Sequence, residues 1–201
     1  MRRGGEIAAR ALLVGSTVLA GGPASAHTGT GLAGGFNMGF AHPLTGLDHL
    51  LAMISVGLWG AVLGRPLIYA LPILFPGIMV LGAVLGMFAI PVPSIEAGIA
   101  LSVVVLGMCI AFNVRAPVWA AALVVGTFAL FHGYAHGREL PSAADPLGYS
   151  AGFVLATGLL HVSGICIGFV NERPGGAAVR GGIGALIGAA GVWFVVRAIA
   201  L

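Results

Sequence analysis

HPLTGLDHLLAM, residues 42–53, sets two histidines and an aspartate at the head of a long apolar run. Read outward, the run continues without a charged residue to Leu63 and breaks at Gly64-Arg65-Pro66. A second stretch repeats the theme: FHGYAHGRE, residues 131–139, joins two histidines and an acid to apolar sequence. The whole chain has the same character. Of its 201 residues, 59% are hydrophobic and only 7% are charged, against roughly 25% charged in soluble domains. Mean hydropathy is +1.07. Such a chain cannot cover a water-facing surface, so the expectation is an all-α, polytopic membrane bundle in contact with lipid. The 34 glycines suit close helix packing in a bilayer. The net charge of +3 comes from scattered arginines, with no lysine and no basic-aromatic patch, so nucleic acid is excluded as a partner.

Residues 1–26 read as a secretory signal peptide. Arg2, Arg3 and Arg10 form its basic end, residues 11–20 its apolar core, and Ala24-Ser25-Ala26 a small-residue cleavage site. Removal takes three arginines and one glutamate, which leaves six arginines against five acids and a net charge of +1. It would also make His27 the new N-terminus, where amine and imidazole together can chelate a metal ion. Residues 27–201 then form the membrane domain.

Six spans are expected, at about 34–63, 67–89, 95–112, 117–137, 146–170 and 179–200. Each is long enough for a hydrocarbon layer of about 30 Å, and Pro, Gly or charge marks each break. With His27 outside, inner loops hold Arg65, Arg115, Arg173 and Arg180, and outer segments hold Arg138 and Arg197. This agrees with the positive-inside rule and gives a multi-pass protein of the bacterial inner membrane with a periplasmic mature N-terminus. His42, Asp48, His49, His132, His136 and Glu139 then share one depth on the outer side. Glu96 opens the third span on that side, where it suits a helix N-terminus after Ser94.

His132 and His136 are one turn apart and so lie on one helix face. His42 and His49 would lie about 10 Å apart on an unbroken helix. Pro43 disfavours helical geometry at His42 and suits a helix start, so the chain is expected to begin or break its helix there, with Gly46 a further weak point. Asp48 can ligate or orient a histidine. Imidazole with carboxylate suits Ni, Cu(II), Zn or Co. His161, mid-way along the fifth span, reads first as a helix–helix hydrogen-bond partner, Met53 as packing, and Cys109 and Cys166 as buried and unpaired.

The two quoted motifs resemble the signature segments of the HupE/UreJ family of nickel/cobalt permeases, small bacterial membrane proteins associated with hydrogenase and urease maturation. The resemblance extends over most of the chain, from the leader and the histidine after it to the FHGxAHGxE segment. It implies secondary or passive uptake of Ni(II), or Co(II), as substrate with no tightly bound cofactor. It ties transport to His42, Asp48, His49, His132 and His136. An enzyme is not expected. The competing readings are an intramembrane zinc hydrolase on the same His/Asp cluster and a haem protein with axial histidines. The sequence leaves the oligomeric state open, a homo-oligomer included.

Overall fold

The computed structural model describes residues 32–139, 145–169 and 174–200. They form seven helices: α1 (Leu32–Thr45), α2 (Leu47–Leu63), α3 (Leu67–Met87), α4 (Ile95–Ala111), α5 (Val118–Glu139), α6 (Pro146–Gly168) and α7 (Gly176–Ala200). No strand occurs among the described residues. The leader, His27 and Arg173 lie outside them.

Four of these helices, α3, α5, α6 and α7, are long and apolar enough to cross a membrane. The α1–α2 pair passes the same test jointly, but it is bent by 82°. The first expected span is therefore not one rod. The break falls at Gly46, whose backbone is extended (φ −86°, ψ 108°). It does not fall at Pro43, which sits inside α1 with His42 still helical. At the end of α1 the Thr45 hydroxyl takes up the His42 carbonyl at 2.9 Å. The Gly46 carbonyl then accepts from Leu50 N–H and opens α2, with Asp48 in the first turn, where the helix dipole favours a negative charge. Helix α4, apolar but only 17 residues long, is shorter than the four that are long enough to cross a membrane.

Glycine sets the pairing. A Cβ at Gly82 would strike the Leu130 carbonyl and one at Gly133 the Met79 carbonyl, so α3 and α5 meet backbone to backbone. Gly57 on α2 abuts the His161 carbonyl of α6, and Gly164 of α6 abuts Ile54. Helix α6 also packs on α1, and α4 packs on α7. Between them lies a core that includes Met53, Leu58, Trp59, Leu71, Phe75, Leu106 and Val125. The outer surface is also apolar: Ile73, Phe88, Trp119, Leu186 and Ile199 are each more than 70% exposed. So wide an apolar exterior fits lipid rather than water.

The two ends of the bundle differ. At one end the α4–α5 connection is clasped to its neighbours. Trp59 Nε1 donates to the Val114 carbonyl at 3.1 Å, Arg115 to the Val62 carbonyl at 2.7 Å and Arg180 to Asn113 Oδ1 at 2.8 Å. The histidine motifs gather toward the other end, at the end of α1, the start of α2 and the last turns of α5.

Candidate functional site

The bend at Gly46 brings His42 and His49 together. Their ring centres are 6.2 Å apart, closer than an unbroken helix would allow. Helix α5 supplies the other two imidazoles. His136 lies 4.8 Å from His42 and 4.9 Å from His49, and His132 lies 4.7 Å from His49, centre to centre. Two segments far apart in sequence thus place four imidazoles in one cluster. His132 is fully buried and His136 nearly so. A cleft of about 100 Å³ flanks His136, lined by Pro76, Met79, Gly133, Tyr149 and Phe153 among others.

Hydrogen bonding decides which nitrogens are available. Asp48 Oδ1 accepts from the His49 backbone N–H at 2.8 Å and lies 2.9 Å from its ring Nδ1. An ionised carboxylate can only accept, so Nδ1 of His49 carries the proton and Nε2 keeps a lone pair. That Nε2 is buried and makes no hydrogen bond. Ser102 on α4 fixes His132 in the same sense. Its hydroxyl donates to the Ile99 carbonyl at 2.6 Å, so its oxygen has no second proton to give and accepts from His132 Nε2 at 3.1 Å. The lone pair of His132 is then on Nδ1, which is also buried without a hydrogen bond. A buried polar atom left unpaired costs roughly 1–3 kcal/mol. Two of them on adjoining rings mark a place organised for something other than stability.

The ring spacing has a simple geometric meaning. With metal–nitrogen bonds near 2.0 Å and ring centres about 1.1 Å behind the nitrogens, two imidazoles on one ion have centres about 4.4 Å apart at a right angle and about 5.1 Å apart at the tetrahedral angle. The cluster's close pairs fall in that range. The rings pack edge to face, however, and no three His, Cys, Asp or Glu side chains among the described residues already converge as ligands.

The remaining candidates fall elsewhere. Glu139 is the last residue of α5, and its side chain lies outside the described residues. Glu96 is exposed in the first turn of α4, and Ser94 makes no side-chain cap there. His161 is 1% exposed and has the Pro72 carbonyl of α3 against its ring, in keeping with its expected role as a helix–helix partner, although neither ring nitrogen makes a hydrogen bond of ideal geometry. Cys166, expected to be buried, is exposed on the bundle surface. Two residues of the site were not signalled by the sequence. Ser102 looks like any helical serine, and Phe75 like any core phenylalanine, although its ring touches both His132 and His161.

No solved structure matches the chain. Protein HupE of Rhizobium leguminosarum bv. viciae is 46% identical over 172 residues, which cover 84% of this chain and 90% of that protein. The family profile described as HupE / UreJ protein matches residues 15–194. That match takes in both histidine motifs, the Gly46 break and all seven helices apart from the last few residues of α7, and on it the chain belongs to the HupE/UreJ family.

Proposed function

We propose that this protein is a permease that takes up Ni(II), and Co(II) as the related ion, across the bacterial inner membrane. In this reading the α1–α2 pair is a broken first span and α4 a short third one, making six spans after a removed leader. The histidine end faces the periplasm. His42, Asp48, His49, His132 and His136 receive the ion between the first span and α5, with Glu139 and the terminal His27 as outer donors.

One observation carries the reading: His49 Nε2 and His132 Nδ1, each oriented by a partner on its far nitrogen, keep buried lone pairs on rings 4.7 Å apart. A ligand histidine held through its other nitrogen by a carboxylate or hydroxyl is the usual arrangement in metal sites. Imidazole donors with one carboxylate match borderline divalent ions. Small rotations about χ2 turn the edge-to-face rings toward a shared ion. A broken helix beside a substrate site is also a recurrent transporter feature. Uptake needs no fuel, because an inside-negative potential favours entry by about 2.3 kcal/mol per charge per 100 mV.

The test is radiolabelled nickel uptake by cells expressing wild type, His49→Ala or His132→Ala, with cobalt, zinc and copper as competitors. Wild-type cells are expected to accumulate nickel, cobalt to compete best, and each variant to fall toward the vector control. Wild-type uptake no greater than vector, with the protein shown in the membrane, would remove the proposal. Zinc retained stoichiometrically through purification would point to the hydrolase instead.

A further inference from the structure

We infer a second, deeper coordination position for the transported ion, built on His161, Met53, Thr157 and the Pro72 carbonyl. The inference rests on the permease reading and adds a step to it.

His161 lies mid-way along α6, buried, with neither ring nitrogen in a good hydrogen bond. An imidazole has two ring nitrogens, and at that depth the Pro72 carbonyl can serve only one of them, so the other is left without a partner. Its surroundings are rich in donors. The Pro72 carbonyl of α3 lies against it. That oxygen is freed by the sequence: its helical donor would be the N–H of residue 76, and residue 76 is proline. Thr157 is one turn before His161 and so on the same face of α6. Its hydroxyl donates to Met53 Sδ at 3.4 Å, and both side chains are buried. Gly57, one turn after Met53, abuts the His161 carbonyl, so α2 and α6 are in backbone contact at this level. Imidazole, thioether, hydroxyl and carbonyl therefore collect where α2, α3 and α6 meet.

The place of this group relative to the outer cluster gives it a role. The Phe75 ring stands 5.5 Å from the His132 ring and 5.4 Å from the His161 ring, centre to centre. One aromatic ring divides the two. An ion leaving His132 past the edge of Phe75 meets His161 next. The deeper group contains no carboxylate and holds a dication less firmly than the outer one. A conduction pathway needs such a position, favourable enough to enter and weak enough to leave. The thioether and imidazole keep it selective for borderline ions over Mg(II) or Ca(II).

The experiment pairs calorimetric Ni(II) binding to purified protein with nickel uptake into proteoliposomes under an inside-negative potential. His161→Ala is expected to leave binding at the outer cluster within about twofold of wild type while lowering the maximal uptake rate about tenfold or more, with KM little changed. Met53→Leu, which keeps side-chain volume, is expected to show a smaller loss of the same kind. Wild-type rates in both variants would overturn the deeper position. So would a His161→Ala variant whose outer binding falls in step with its transport, because that would make His161 a packing residue. Should His161→Ala not fold, an unchanged rate in Met53→Leu is by itself sufficient to overturn it. A wild-type protein that neither binds nor carries nickel fails in a different way, taking the permease reading and this position together.

Discussion

Ser102 shows how a residue without ligand chemistry can govern one that has it. By spending its single proton on the Ile99 carbonyl it obliges His132 to donate through Nε2 and to present Nδ1. Ser102→Ala should therefore lower Ni(II) affinity about tenfold with the fold retained, and Ser102→Thr should keep most of it, as read by calorimetry. The same lone pairs set the pH response. A protonated imidazole has no electron pair to give, and an ordinary histidine takes up its proton near pH 6.5. Nickel uptake should therefore fall when the outside medium is made strongly acidic and be restored on return to neutral pH. An uptake rate that climbs steadily on acidification would contradict ligation by neutral rings. The histidines and Asp48 were legible in the sequence because ionisable groups are costly in apolar segments and rarely placed there idly. Ser102 was not. Ser55, Ser150 and Ser163 all bond a carbonyl of the preceding turn, and nothing in the letters separates Ser102 from them.

Among the elements, the bent α1–α2 pair and its contact with α6 position the site. Hydropathy announces the apolar stretch, but the location of its bend depends on packing. Pro43 discourages a helical His42 locally, yet α1 holds its helix because Gly39 lies on the Tyr149 backbone and Gly152 on that of Phe36. The turn is deferred to Gly46, where an added Cβ would crowd Asp48 Oδ1 and His49 Nδ1 at 3.2 and 3.3 Å. Such tertiary support is invisible to a rule about neighbouring residues. The α2–α6 contact is testable. A branched side chain at Gly57 would drive into the His161 carbonyl, whereas Gly158, on the same helix as His161, has open space around it. Gly57→Val should destabilise the detergent-solubilised protein by about 2 kcal/mol or more, while Gly158→Val should stay within about 0.5 kcal/mol, by thermal unfolding. Equal losses in the two would mean that α2 and α6 do not touch as described.

For the molecule as a whole, the closest helix pairings follow a pattern. If α1–α2, α3 and α4 are exchanged with α5, α6 and α7, the pairing of α3 with α5 maps onto that of α6 with α1–α2, and α4 with α7 maps onto itself. An inverted repeat of three spans would give these closest pairings, but the packing of α2 on α3 and on α4 has no counterpart of like extent between α5 and the equivalent helices α6 and α7, and the histidines of the two halves do not correspond. Orientation can be checked from the arginine ends. In a background without Cys109 and Cys166, Arg138→Cys should react with a membrane-impermeant maleimide added to intact cells, and Arg65→Cys should react only after the membrane is opened. The reverse pattern would invert the topology. One further consequence follows from the clasp made by Trp59, Arg115 and Arg180. Its three hydrogen bonds tie α2 and α7 to the α4–α5 connection on the side away from the histidines, so loss of any one of them should loosen the helix ends there and leave the donors of the imidazole cluster where they are.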